Sequence, residues 1–205
     1  MDIEFKNSKK PVNYEKALML LEKRVNEVKK GGRELVWFLE HPTTYTAGIR
    51  YKKEEILDKS INIVKTNRGG KITLHNPGQK IVYFVLDLNR RKKNIRNLVR
   101  EIENIIVEFL KVYKIKSYAD KKNIGIWVNK KKIAAIGIRV SRWVAYHGFS
   151  ININNNLNDY KKIIPCGLDN EKITSFKKEG KKSSNINKNL KNIFLKNQFK
   201  IWYFF

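Results

Sequence analysis

Apolar residues near the start of the chain recur at helical spacing. Tyr14, Ala17, Leu18, Leu21, Val25 and Val28 share one face, with Asn13 placed to cap the helix and Gly31 to close it. A second amphipathic helix is predicted over about 95–113, carrying Leu98, Val99, Ile102, Ile105, Ile106, Phe109 and Leu110 on its apolar side. Between them the period changes. Residues 35–39 (LVWFL) form a continuous apolar run that predicts a buried strand ending at His41-Pro42. Further strands are predicted at 61–64, 81–86, 125–128, 133–140 and 149–153, and 129–132 (NKKK) reads as a hairpin turn. Residues 68–79 form a glycine-bearing stretch leading into the strand at 81, and the tail holds a helix near 185–195. Mixed strands with two long helices give an α+β fold class.

A chain of 205 residues is the size of a single domain, and 1–205 reads as one domain whose end, 177–205, is a basic C-terminal segment. The net charge of +25 raises nucleic acid as a partner. Its distribution argues against that. Residues 169–205 hold 9 lysines against 3 acids, a net of +6, so +19 is spread over the rest of the chain. Asparagine and isoleucine are also abundant, as a bias towards AT-rich codons would produce. A basic surface still steers acidic protein partners. The N-terminus lacks an apolar signal core and no run is long enough to span a membrane, so a cytoplasmic, membrane-free protein is expected. The single cysteine excludes an intrachain disulfide.

That cysteine, Cys166, lies in Ile163-Ile164-Pro165-Cys166-Gly167. After two isoleucines a cysteine is usually packing, but Gly167 allows close backbone approach to a substrate and an N–H for a developing oxyanion. A nucleophilic thiol needs an activator. His41, His75 and His147 are candidates, and so is Lys132, the one lysine of its run that enters a small apolar strand (KIAAIG, 132–137). Desolvation favours a neutral amine that serves as a base, whereas a retained ammonium favours the thiolate by Coulomb attraction. Arg68-Gly69-Gly70 allows close approach to a ligand, and 75–79 (HNPGQ) reads as a tight turn. The spacing of potential ligands gives no metal site, and no phosphate loop or dinucleotide fingerprint is present.

In order, HPTTYTAGIR (41–50), RGGKITLHNPGQ (68–79), KIAAIG (132–137), HGFSININ (147–154), PCGL (165–168) and ITSF (173–176) resemble the lipoyl(octanoyl) transferase family over most of the chain. The resemblance implies the fold of the biotin and lipoate protein ligases as a single domain. It implies transfer of an octanoyl or lipoyl group from acyl carrier protein to a lysine of lipoyl domains, those of 2-oxoacid dehydrogenase complexes and the glycine cleavage H protein. It also implies a thioester on Cys166, activated by Lys132, with no cofactor. Implied substrate-binding residues are Arg68, Gly69, Gly70, Lys71, Ile72, Thr73, Leu74 and His75, then Ala135, Ile136 and Gly137, then Gly148, Phe149 and Ser150. Asn76 stands where the family usually has glycine, Ser150 where alanine is common and Ala145 where a hydroxyl is common. Asn76 is expected to keep the left-handed backbone of the turn.

Thioester exchange is near thermoneutral and thioester-to-amine transfer runs downhill, so no ATP is needed. The competing enzyme reading is an ATP-dependent lipoate or biotin ligase, against which the PCG segment argues. The competing binding reading, a nucleic-acid module, leaves the ordered motifs unexplained.

Overall fold

The computed structural model describes residues 3–91, 93–120, 123–165 and 172–202. Cys166, Gly167 and the terminal residues 203–205 lie outside the described residues.

The elements run β1 (Ile3–Asn7), α1 (Tyr14–Lys29), β2 (Glu34–Leu39), β3 (Thr44–Ala47), β4 (Ile63–Lys65), β5 (Ile72–His75), β6 (Gln79–Asp87), α2 (Ile95–Val112), β7 (Tyr118–Ala119), β8 (Ile126–Val128), β9 (Lys131–Ser141), β10 (Val144–Asn152) and α3 (Ile186–Trp202). Seven strands form one sheet in the order β1-β2-β6-β10-β9-β8-β7, antiparallel except for β1 beside β2. A second sheet has the order β4-β3-β5. No described helix is long and apolar enough to cross a membrane.

Strand parity explains the unbroken apolar runs. Leu35, Trp37 and Leu39 of β2, with Ile81, Tyr83 and Val85 of β6, face Ala17, Leu21, Val25 and Val28 of α1. The alternate residues Val36, Phe38, Val82, Phe84 and Leu86 face α2 and α3. Both faces of the central strands are therefore covered, and each strand is apolar throughout. The caps follow from side-chain chemistry. Asn13 accepts from the Lys16 N–H at 3.0 Å and Asn94 from the Asn97 N–H at 3.0 Å, each using an otherwise orphaned donor of the first turn. Buried Glu34 binds Arg91 at 2.5 Å and accepts the Asp87 N–H at 2.7 Å, tying the start of β2 to the end of β6.

Several expectations shift. The turn after β8 is only Asn129 and Lys130, both left-handed (φ 47° and 62°), so Lys131 and Lys132 belong to β9. The glycine-bearing stretch contains a strand, β5, that its glycines obscure. The strand expected at 61–64 is β4, two residues later at its start, and β10 begins five residues before the expected 149. Asn76 does not have a left-handed backbone; Gly78 supplies it (φ 84°). Asn76 acts through its side chain instead, donating to the Asn156 carbonyl (2.9 Å) and to Asp159 (2.8 Å) and accepting from Asn155 (2.9 Å).

Candidate active site

A cavity of ≈ 50 Å³ lies between the two sheets. Arg68, Gly69 and Gly70 form one wall, with Thr73 and His75 from β5. Ala135, Ile136 and Gly137 of β9 and Gly148, Phe149 and Ser150 of β10 form the other. Eleven of the fourteen residues expected to bind substrate thus meet at one place. Lys71 lines a neighbouring groove instead. Ile72 and Leu74 do not reach the cavity. The two-residue period of β5 that points Thr73 and His75 inward turns them into a separate core with Tyr45, Tyr160, Ile163 and Ile173. The cavity wall is thin where two glycines cross. A side chain on Gly69 would meet the Ile138 carbonyl at 3.0 Å, and one on Gly137 would meet Arg68 Cδ at 3.3 Å.

Tyr14, Ile81, Tyr83 and His147 also line the cavity, and none of them was singled out for it by the sequence reading. Tyr14 counts only as an apolar position of α1 until α1 is packed. Parity along β6 places Ile81 and Tyr83 on one face, a signal that was legible. His147 heads the HGFS motif and is a candidate activator, but the motif does not place its ring in this cavity. Its left-handed backbone (φ 66°) breaks the alternation of β10, so its ring stacks on that of the preceding Tyr146, 4.8 Å between centroids.

The floor of the cavity is aromatic. Tyr14 stacks on His75 at 5.8 Å, and His41 lies 5.6 Å from His75. His75 Nδ1 meets Gln79 Oε1 at 2.7 Å, His147 Nε2 meets Asn67 Oδ1 at 2.8 Å, and His41 bridges the Val12 carbonyl (2.6 Å) and the Tyr83 hydroxyl (2.9 Å). Burial pushes His75 down to about 3, aided by the repulsion of His41 when protonated, by the Arg68 guanidinium and by His147 when protonated, and opposed by the hydrogen bond to Gln79. Burial, with Arg68 and Arg139, pushes His147 to about 3, and burial pushes His41 to about 4. All three rings are neutral at pH 7. Arg68 is the cation of the cavity, fixed by the Thr46 carbonyl and hydroxyl (both 2.8 Å) and the Gly69 carbonyl (3.0 Å).

Lys132 lies beside this cavity, not in it. It is buried in β9, while Lys131 before it is exposed. Its Nζ donates to the Ile124 carbonyl at 2.8 Å and lies 5.7 Å from the centre of the Trp127 ring. A small chamber of ≈ 20 Å³ joins Lys132 to Thr73, Ala135 and Ser150 of the cavity. Pro165 and Ile173 complete its wall. Ile173 pairs with Lys132 as an isolated bridge, and the Thr174 N–H donates to the Lys132 carbonyl at 3.0 Å. The described residues on both sides of Cys166 therefore border the space that Lys132 enters.

The fold is that of the lipoate and biotin ligases. Lipoate-protein ligase A bound with ATP superposes with a TM-score of 0.75 at 14% identity, covering 98% of this chain and 85% of that one. Biotin protein ligase from Leishmania major in complex with biotinyl-5-AMP superposes at 0.57 and 14% identity, covering 98% and 74%. The chain belongs to the lipoyl protein ligase A/B catalytic domain family, whose model matches residues 13–197. Within it, the octanoyltransferase of Ehrlichia chaffeensis is 46% identical over 185 residues, 87% of this chain and 86% of that one. The protein is an acyltransferase that moves octanoyl groups in lipoate biosynthesis.

Proposed function

We propose that transfer proceeds through an octanoyl thioester on Cys166, with Lys132 as the group that activates the thiol. The observation that carries this reading is the chamber beside Lys132, whose wall includes Pro165 and Ile173 and which shares Thr73, Ala135 and Ser150 with the aromatic cavity. Lys132 holds the proton that leaves the thiol, so a thiolate attacks the donor's thioester carbonyl. A bond from Cys166 Sγ to the acyl carbon forms, the donor's C–S bond breaks, and the donor thiol leaves with the proton from Lys132. The acceptor amine then attacks the same carbon. Its new C–N bond replaces the C–S bond, the amine proton passes to Lys132, and from there it returns to the thiol. The backbone N–H after Cys166 stabilises the oxyanion in both halves.

Arg68, Gly69, Gly70, Thr73 and His75, with the β9 and β10 residues facing them, hold the acyl chain. Neutral histidines and tyrosine rings suit this role because they add no charge to that of Arg68, whose guanidinium is held by the Thr46 and Gly69 oxygens. The donor is octanoyl-acyl carrier protein and the acceptor a lysine of lipoyl domains. The enzyme acts in the cytoplasm, where a lone cysteine stays reduced.

Intact-mass measurement after incubation with octanoyl-acyl carrier protein tests the intermediate. The wild type should gain one octanoyl group, and Cys166→Ser should gain none and lose turnover while keeping its unfolding transition. Transfer by the serine variant at the wild-type rate would overturn the assignment.

A further inference from the structure

A groove of ≈ 390 Å³ lies outside the acyl cavity and shares the wall made by Gly69, Gly70, Ile136 and Gly137. One end reaches Lys132. Its sides are apolar, with Ile95 and Val99 at the start of α2 facing Ile124 and Ile138. Besides Lys132, two basic residues border it, Arg50 and Lys71. The Lys71 ammonium is already neutralised, 2.6 Å from the buried carboxylate of Glu55. Arg50 is exposed, and among the described residues its guanidinium has no hydrogen-bond or ion-pair partner. Its backbone is fixed all the same. The Arg50 N–H donates to the Gly70 carbonyl at 3.0 Å and the Ile49 N–H to the Arg68 carbonyl at 3.1 Å, so the loop that carries Arg50 is pinned to the wall of the acyl cavity.

An apolar trough with one uncompensated guanidinium on its border, ending at the lysine of the reacting centre, is complementary to a long, mostly uncharged arm with an anion at its far end. We propose that this groove binds the arm of the octanoyl donor, a phosphopantetheine-type thioester whose phosphate is held by Arg50. The inference rests on the thioester-transfer reading of the site. The methyl and methylene groups of such an arm cover Ile95, Val99 and Ile124. Its thioester reaches the Lys132 chamber, and the acyl chain continues into the cavity between the sheets. The occupant is the donor arm and not the acceptor, because a cationic lysine side chain would meet the Arg50 guanidinium in the same trough. Guanidinium is suited to the role, since it offers paired donors to two phosphate oxygens.

Two small donors test this, octanoyl-phosphopantetheine and octanoyl-pantetheine, which differ only in the phosphate. With wild-type enzyme and an excess of lipoyl domain, kcat/KM should favour the phosphorylated donor by about tenfold, mostly through KM, as expected for one charge-assisted contact near the surface. Arg50→Gln should lose most of that preference while using octanoyl-pantetheine as well as the wild type does. Arg50→Lys should keep part of it. A wild type indifferent to the phosphate, or an Arg50→Gln variant equally impaired with both donors, overturns the proposal. Transfer from neither donor would instead overturn the thioester-transfer reading beneath it.

Discussion

Gly125 offers a way to move Lys132 without changing it. It precedes β8 with φ +141°, a backbone that L side chains rarely adopt, and a Cβ there would lie 2.3 Å from Lys132 Cε, 3.0 Å from its Nζ and 2.7 Å from the Ala134 carbonyl. Gly125→Ala therefore has two separable effects. The strained backbone costs about 1–3 kcal/mol of stability. The clash with Lys132 is relieved by its flexible end, whereas the contact with the Ala134 carbonyl shifts backbone and adds to the stability cost. Restoring ordinary contact moves Cε by about 1 Å, and a misplacement of that size in a reacting group costs on the order of 10²-fold in rate. The assay is single-turnover acylation of Cys166 by octanoyl-acyl carrier protein, read by mass. The pH profile of iodoacetamide labelling runs beside it, with thermal unfolding as the control. Acylation should fall by about that factor in a folded variant, and thiol labelling should move to higher pH. Lys132→Ala should be impaired at least as severely, and the double variant should be no worse than Lys132→Ala alone, since both act through one ammonium group. Acylation at the wild-type rate by a folded Gly125→Ala, or full additivity in the double variant, would refute the reasoning.

Acid should destabilise the fold through its three buried histidines. His41, His75 and His147 stay neutral in the fold down to pH about 4, 3 and 3, whereas an unfolded histidine takes up a proton near 6.5. The unfolded state therefore binds more protons below 6.5, and their contribution, complete above that pH, is lost as pH falls towards 4 to 3. The slope is up to roughly 1.4 kcal/mol per histidine per pH unit, so a melting temperature unchanged from pH 7.5 to 5 would contradict the buried neutral rings. Removing Glu34, fully buried against Arg91 at 2.5 Å, takes the paired carboxylate from a buried guanidinium that keeps only its weaker contacts such as the Asp87 carbonyl, so Glu34→Ala should cost about 3 kcal/mol in denaturant unfolding.

Local chemistry in the sequence determined much of this protein. Helices α1 and α2 follow from apolar spacing and asparagine caps, and their observed bounds, Tyr14–Lys29 and Ile95–Val112, lie within a residue or two of the expected ones. The burial of Lys132 beside an exposed Lys131 follows from the two-residue period of an apolar strand. The motifs, each contiguous along the chain, also marked the RGG, KIAAIG and HGFS segments that meet at the cavity. What contiguous motifs do not carry is direction. Nothing in RGGKITLH states that Thr73 and His75 turn inward while Ile72 and Leu74 turn away, because that depends on which face of β5 the larger sheet covers. Nor does the sequence bring Tyr14, Tyr83 and His147 to the same floor. They come from three elements far apart along the chain, and His147 arrives only through a left-handed residue inside β10. The free guanidinium of Arg50 has the same origin. Exposed lysines and arginines look alike in the sequence, and that Arg50 borders the groove with no carboxylate partner among the described residues is settled only when Glu55 folds back onto Lys71.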